Sequence, residues 1–235
     1  IRPFLSGGDF LNNIVRYCLW INDQDIDEAI SIPIIYERIQ KCKNYRLGAG
    51  RDAQKAAEVP HRFFYRKHKD QNTILIPRTS SGRREYLPCG FMGPKTIISN
   101  QAFRVYDFEP FLLGILSSKH HYLWMTITSG RMRHDFSYSV NLTYNNFPIP
   151  NLKEAKKGQL EELSFNILEA RDMHPGKTLA ELYDPDKMPQ NLRDAHNELD
   201  LAVDAIYRKE PFKNDEERLT HLFKLYEKMT SGEKK

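Results

Sequence analysis

The sequence lacks the features of a membrane or secreted protein. No apolar run among its 235 residues approaches the roughly 20 that a helix needs to span a bilayer. The first residues show no basic segment followed by an apolar one, so no leader is indicated. We therefore expect a cytoplasmic protein with no membrane partner. Because the chain starts at Ile1 in what reads as the middle of a domain, we also expect it to be part of something longer.

Cysteine is scarce as well. The chain has 3 cysteines, Cys18, Cys42 and Cys89, and their spacing is not that of a zinc site or a redox motif. We expect three reduced thiols and no metal site.

Catalytic patterns are absent from the sequence too. Ser80 and Ser81 lack the glycine-flanked setting of a nucleophilic serine. The 8 histidines are scattered, apart from His120 and His121, which a helix would point to different faces. No glycine-rich phosphate loop follows a strand, and Gly7-Gly8 is too short to count as one. We expect no catalytic site and no bound cofactor in this chain.

Basic residues are present in excess, and they are concentrated in one part of the chain. Residues 1–150 hold 20 Lys and Arg against 13 Asp and Glu, whereas residues 151–235 hold 15 against 18. The segment 38–84 alone has 13 basic and 3 acidic residues, which favours a polyanionic partner. Aromatic residues suited either to a core or to base stacking are interleaved with these charges, namely Tyr45, Phe63, Phe64, Tyr65 and Tyr86.

The stretch 108–150 predicts a helix, a polar turn and a strand. Apolar residues from Phe108 to Ile127 recur at helical spacing. Gly130 ends this pattern, and a strand is predicted over 136–144, where apolar and polar residues alternate. The turn between these elements carries the long or polar side chains that we expect to contact a ligand, Arg131, Arg133, His134 and Asp135.

A second loop combines cations with small hydroxyl side chains. It follows the predicted strand 73–77, and a further strand is predicted over 16–21. Arginine and serine together suit phosphate oxygens, although a solvated hairpin tip would have the same composition. With the basic segment before it, this loop provides the candidate phosphate ligands Arg78, Ser80, Ser81, Arg83, Arg84, Lys41, Lys43, Arg46 and Arg51.

Beyond Pro150 the pattern becomes helical throughout. Leu160, Leu163 and Ile167 lie at helical steps. A capping box at Thr178 and Glu181 starts a short helix, Pro189 precedes a third, and Asn214 starts a fourth. The sequence therefore predicts an α+β fold, with a mixed α/β domain over residues 1–150 followed by a small all-helical domain over 151–235.

Several motifs follow one another as they do in a known family, and together they span nearly the whole chain. They are the segments 16–20 (RYCLW), 77–88 (PRTSSGRREYLP), 114–118 (GILSS), 129–132 (SGRM), 145–150 (NNFPIP), 179–185 (LAELYDP) and 195–200 (AHNELD). In this order the chain resembles the MmeI-like family of bacterial DNA methyltransferases and combined restriction-modification enzymes.

The resemblance implies a specific division of labour. Residues 1–150 would be a target-recognition domain that binds double-stranded DNA, and residues 151–235 would be a helical C-terminal domain. The protein would be bacterial and associated with the nucleoid. The methyltransferase core of the same polypeptide, with S-adenosylmethionine and adenine-N6 chemistry, would lie upstream. In relatives, two alternate positions after the Gly-Arg pair help choose a base pair, and here these correspond to Arg133 and Asp135.

Three other interpretations remain open from the residues. A general RNA or single-strand binding module would also be basic and aromatic. A protein-interaction scaffold would instead bind through apolar patches, with little dependence on salt. Finally, Arg133 and Asp135 would carry no recognition role if they only paired with each other.

Overall fold

The computed structural model describes residues 1–232 and separates a strand-containing first part from a helical second part, so the predicted α+β class is confirmed. The last three residues of the predicted helical domain, 233–235, lie outside the described residues. The helices are α1 (Gly7–Leu11), α2 (Ile26–Ser31), α3 (Pro33–Leu47), α4 (Arg51–Ala56), α5 (Phe111–Ser117), α6 (Lys119–Thr128), α7 (Glu154–Asp172), α8 (Leu179–Leu182), α9 (Gln190–Tyr207) and α10 (Asp215–Thr230). The strands are β1 (Arg2–Leu5), β2 (Arg16–Cys18), β3 (Thr73–Pro77), β4 (Thr79–Ser80), β5 (Gly90–Met92), β6 (Ile97–Ile98), β7 (Ala102–Val105), β8 (Gly130–Met132) and β9 (Asp135–Ser137).

Across residues 1–232 the strands form three small sheets. In the first, β1 pairs antiparallel with β2 and parallel with β6. In the second, the buried strand β3 lies between β5 and β7. In the third, β9 lies between β4 and β8. No helix within this described part is long and apolar enough to cross a membrane.

Helices α5 and α6 connect the two parts because they contribute to two cores. Leu113, Leu116 and Met125 pack with the strands of the second and third sheets. Ile115 and Trp124, from the same two helices, pack instead with α7, α9 and α10. Helices α5 and α6 therefore pack against the strands on one side and against the helical part on the other.

The contact between α5 and α7 is close. A Cβ atom added at Gly114 would lie 2.9 Å from the carbonyl oxygen of Leu160 and 3.3 Å from Cδ1 of Leu199. Only a glycine allows these two helix backbones to approach so closely without a shift.

Three predicted elements are wrong in extent. The single helix over 108–127 is two helices, because Ser118 adopts an extended backbone and caps α6 by accepting from the His121 N–H. The strand over 136–144 ends at Ser137. A π-helical turn follows over 140–144, where the Ser139 hydroxyl accepts from the Leu142 N–H. The predicted strand over 16–21 is likewise shorter and ends at Cys18.

The helix starts predicted in the second part are confirmed. Thr178 and Glu181 form the reciprocal capping box, Pro189 is the N-cap of α9, and Asn214 accepts from the Glu217 N–H at the start of α10. Each of these signals is local, so tertiary packing did not override it.

Candidate nucleic-acid interface

The predicted polar turn is the tip of a β-hairpin. Strands β8 and β9 pair antiparallel in the register Met132 to Asp135, which leaves Arg133 and His134 as a two-residue loop. Arg131, Arg133 and His134 are exposed, and Asp135 is half-buried. The hairpin therefore presents polar side chains to solvent.

Arg133 has a backbone conformation that is unusual for its residue type. Its φ angle is 58°, in the left-handed region that costs a non-glycine residue about 1–2 kcal/mol. The other non-glycine residues with positive φ within 1–232 are Asn13 and Asp107, which belong to the types that tolerate this region. A two-residue hairpin loop requires a positive φ, so here the cost of the turn falls on an arginine instead of a glycine.

The predicted phosphate loop and the hairpin form a single sheet. Strand β4, in the loop, pairs with β9 in the register Thr79 to Ser137. The Tyr138 N–H donates to the Arg78 carbonyl at 2.8 Å. A Cβ atom at Gly82 would overlap the carbonyl oxygen of His134. The fold thus brings together two segments that the sequence separates by about fifty residues.

Within residues 1–232, neither Arg133 nor Asp135 makes a side-chain hydrogen bond or ion pair, and the two do not pair with each other. Arg133 is exposed, and Asp135 lies close enough to Arg84 for its charge to act on that guanidinium. Arg131 lies over the ring of Phe136, with its Cζ atom 4.4 Å from the ring centroid. The charged ends of the tip are therefore available to a ligand.

A cleft of about 470 Å³ lies beside the hairpin, lined by Ser6, Gly7, Gly8, Leu11, Thr79, Ser81, Arg84, Gln101 and Asp135. The Arg84 guanidinium donates to the Ser80 hydroxyl at 3.3 Å. Burial lowers the pKa of Arg84, and the negative charge of Asp135 acts in the opposite direction. Arg84 stays protonated, because the ordinary pKa of a guanidinium is so high, and it gives the cleft a positive wall.

The candidate phosphate ligands of this loop differ in availability. Arg78 is exposed, whereas the Arg83 guanidinium pairs with Asp186 and, at 3.9 Å, with Asp184. Ser80 is only 2% exposed, and the Ser81 hydroxyl accepts from the Arg83 N–H at 3.3 Å. Arg78 is thus the most accessible cation of the loop.

The four other candidates lie on α3 and α4. The Arg46 guanidinium donates to the carbonyls of Ala56, Val59 and Arg62 at 2.7, 3.1 and 2.8 Å, so it holds the chain that follows α4. Lys41 is exposed and pairs with Glu37 at 2.6 Å. Lys43 and Arg51 are exposed. Helix α3 packs with α2 around a small cluster of Ile21, Ala29 and Ile39, separate from the hairpin sheet, and α4 contacts α3.

The segment that follows the phosphate loop is anchored in the helical part. The Tyr86 hydroxyl donates to Asp200 at 2.8 Å, and the Arg171 guanidinium donates to the Cys89 carbonyl at 2.7 Å. Arg193 pairs with Glu85 at 2.7 Å. Burial raises the pKa of Asp200 to about 6, although hydrogen bonds from the Lys119 backbone N–H and Tyr86 oppose the shift. We call this set of contacts the anchor.

Sequence reasoning missed the anchor. Asp200, Arg171 and Arg193 lie on α7 and α9, where a charged residue ordinarily faces solvent. The only local signal was the position of Asp200 in the sequence. It directly follows Leu199, which lies in the core, and it is itself buried on α9.

The buried histidines do not have the properties of general bases. Burial lowers the pKa of His121 to about 4, while its hydrogen bond with the Leu116 carbonyl opposes the shift. The other His121 nitrogen contacts the Tyr138 hydroxyl at 3.0 Å. Burial also raises the pKa of the Cys89 thiol to about 12. No group of three or more His, Cys, Asp or Glu side chains within residues 1–232 is placed to hold a metal ion.

The chain thus combines an exposed hairpin with a helical part that holds the neighbouring segment. Its family follows from sequence comparison. The sequence model described as "MmeI, target recognition domain" matches residues 1–151, and that described as "MmeI, C-terminal domain" matches residues 152–233. The chain therefore belongs to the MmeI family, and the resemblance in its motifs is confirmed.

Two relatives match nearly the whole of this chain. The DNA methyltransferase A of Bacillus subtilis (strain 168) is 41% identical over 230 residues, which are 97% of this chain and 26% of that protein. A structure of the type IIL restriction-modification enzyme MmeI in complex with DNA superposes with a TM-score of 0.92 at 39% identity, and it covers 98% of this chain and 31% of that one. The chain thus spans about a quarter to a third of the length of these relatives.

Proposed function

We propose that this chain is the DNA target-recognition part of a site-specific adenine-N6 DNA methyltransferase in a bacterial restriction-modification system. Residues 1–150 form the recognition domain and residues 151–235 the helical domain that supports it. Membership of the MmeI family supports this proposal, as does the likeness to an enzyme solved in complex with DNA.

The observation that carries the proposal is the state of the hairpin tip. Arg133 has the strained φ of 58°, and its exposed side chain makes no hydrogen bond or ion pair within residues 1–232. Asp135 makes none there either, although its charge acts on Arg84 across the cleft that they share. Two opposite charges so close in sequence that do not pair internally are suited to pairing with an external ligand.

The two side chains match the two bases of one G·C pair. In the major groove, an arginine can donate two hydrogen bonds to guanine O6 and N7, and an aspartate can accept one from cytosine N4. Arg133 and Asp135 read these edges together. Arg131 and His134, at the neighbouring exposed positions, contact the adjacent bases.

Phosphate contacts set the register of the duplex. Arg78, Ser81 and Arg84 are the proposed ligands beside the hairpin, and Lys41, Lys43 and Arg51 provide a second set. Arg83, Arg46 and Ser80 support these groups through internal contacts. Such contacts fix position without carrying sequence information.

Methyl transfer takes place outside this chain. The methyltransferase core of the same polypeptide extrudes the target adenine and binds S-adenosylmethionine, which supplies the methyl group. The greater length of the relatives supports such a core. The residues of this chain position that core on its site.

The proposal predicts that Arg133→Ala combined with Asp135→Ala relaxes recognition at one base pair in the full-length parent. A lost bidentate contact costs about 1–3 kcal/mol of discrimination, which corresponds to roughly 5- to 150-fold in the ratio of methylation rates. Methylated adenines mapped by single-molecule sequencing of DNA from cells that express the variant would reveal the degenerate position.

The matched control removes one charge of each sign from an exposed helix face, with Lys156→Ala and Glu162→Ala on α7. The control is expected to keep the parental site. If the hairpin variant methylated the same site with the same preference as the parent, Arg133 and Asp135 would have no part in recognition.

A further inference from the structure

A second cleft lies on the first sheet and is lined mainly by aromatic rings. Its volume is about 270 Å³, just below the range of roughly 300 Å³ and above that is typical of drug-sized ligands. The residues that line it are Phe4, Trp20, Phe63, Phe64, Tyr65, His68, Ile97, Ile98, Ser99, Asn100 and Arg104. We call it the aromatic cleft.

The rings of this cleft are not all part of a core. Phe4 and Phe63 stack on each other with centroids 5.7 Å apart, which forms the floor. The ring centroids of Phe64 and Tyr65 are 4.9 Å apart, but these two residues are 45% and 72% exposed. Exposed rings next to each other indicate a binding surface, because a folding role would have buried them.

Two arginines, Arg66 and Arg104, lie at the aromatic cleft, and the carboxylates of Asp23 and Asp70 lie nearby. The Arg66 guanidinium lies 4.4 Å above Trp20 and donates to two neutral acceptors, the Ile21 carbonyl and the Asn22 side chain. Arg104 donates to the Ile98 carbonyl. Neither arginine forms an ion pair within the described part of the chain, unlike Arg2, which pairs with Asp70. The rim therefore attracts an anion.

Polar groups suited to a base edge also line the aromatic cleft. Ser99 and Asn100 offer donors and acceptors at one wall. The His68 side chain is 4% exposed, and its Nδ1 atom has no hydrogen-bond partner within residues 1–232. A planar ring with hydrogen-bonding edges matches this set better than an aliphatic group does.

The aromatic cleft adjoins the hairpin cleft at two places along the chain, the turn between β6 and β7 and the end of β1. Ser99 and Asn100 line the first and Gln101 lines the second. Phe4 lines the first, and Ser6 lines the second. Neighbouring residues of the chain therefore line both clefts.

We propose that the aromatic cleft holds one unstacked nucleobase of the bound DNA, with the rings as stacking faces and Arg66 and Arg104 near the flanking phosphates. This inference rests on the proposed DNA-binding function. It also gives a role to the basic, aromatic segment 62–69, which takes no part in the reading of the duplex by the hairpin. Stacking of this kind tolerates any base, because every base has a π face.

The test compares two DNA duplexes that differ by one unpaired 2-aminopurine, a fluorescent base whose emission is quenched by stacking on aromatic rings. The full chain is expected to bind the bulged duplex about tenfold more tightly than the plain one, within the range known for base–aromatic stacking. Binding should also quench the fluorescence. The affinity for the plain duplex, and the decrease of that affinity with salt, test the proposed DNA-binding function independently of the preference for the bulge.

The informative variant is Phe64→Leu with Tyr65→Leu, which keeps apolar side chains but removes two exposed rings. It should bind the plain duplex like the unmodified chain and lose both the preference and the quenching. The control, Phe165→Leu, replaces a ring on α7 that is 43% exposed and should change neither. Thermal denaturation of each variant confirms that it is folded.

Two results would overturn the inference alone. One is plain-duplex binding by the unmodified chain with no preference for the bulge, as expected if the aromatic cleft instead takes an apolar protein segment. The other is that the variant with Phe64→Leu and Tyr65→Leu keeps both the preference for the bulged duplex and the quenching of 2-aminopurine fluorescence. Failure to bind either duplex would overturn the proposed function, and the inference with it.

Discussion

The two ends of the segment 78–89 have different neighbours. The first end lies beside the hairpin, and the second lies against the helical part. At the first end, strand β4 joins the hairpin, whose tip side chains Arg133 and Asp135 have no partner within the described residues. At the second end, the anchor pairs Tyr86 with Asp200 and Arg171 with the Cys89 carbonyl. The first end thus lies beside a hairpin whose charged tip is open to solvent, whereas the second end is held in the helical part.

The free energies differ in the same direction. Hydrogen bonds that involve a charged group stabilise a fold by about 1.5–3 kcal/mol each, and the anchor holds several. The hairpin tip instead carries the strain of Arg133, about 1–2 kcal/mol. A strained, unpaired tip persists only where its surroundings determine its conformation. In this molecule the pairing of β4 with β9 and the close approach of Gly82 to the His134 carbonyl provide that support.

The largest expected effect lies on the anchor side. Leu199 on α9 is fully buried beside Asp200, so Leu199→Ala should lower the free energy of unfolding by about 2–5 kcal/mol. Leu201→Ala, on the same helix but at a position that is 70% exposed, should change it by less than about 0.5 kcal/mol. Urea denaturation measures both. Equal effects at the two positions would contradict the assignment of the core to this face of α9.

An intermediate effect is expected where the loop meets the hairpin. Gly82→Ala places a Cβ atom on the carbonyl oxygen of His134, so the hairpin must move, at a cost of about 1–3 kcal/mol. The parent enzyme should therefore lose discrimination at its site while the helical part stays folded. Gly93→Ala is the control, because a Cβ atom there meets nothing within 4 Å. Unchanged discrimination in Gly82→Ala would mean that loop and hairpin act independently.

Local signals predicted the helical part well and the hairpin region only in outline. The caps at Thr178 and Asn214 depend on side chains three residues apart or fewer, so the sequence contains them completely. The break at Ser118 has a local signal as well, a serine that caps α6, but the apolar spacing continues through it. Periodicity alone therefore predicted one helix where two exist.

The end of strand β9 depended on tertiary contacts. Alternation favoured a strand through Tyr144, yet the Thr143 carbonyl accepts from the Trp124 indole N–H at 3.1 Å. This contact, across 19 residues, holds the chain in a turn instead. The pairing of β4 with β9 is also long-range, so the proximity of the two candidate sites was not predictable from spacing.

The smallest effect is the most specific to the hairpin. Arg133→Gly should raise the free energy of unfolding by up to about 1 kcal/mol, because glycine adopts a φ of 58° without strain. The same change should relax base-pair discrimination in the parent, because the guanidinium is lost. Urea denaturation of this chain and methylation mapping of the parent measure the two consequences. Arg131→Gly is the comparison, since that position lies in strand β8, outside the left-handed region, where glycine should destabilise. A loss of stability in Arg133→Gly would mean that the arginine itself holds the turn, and the strain would then not be evidence for a recognition role.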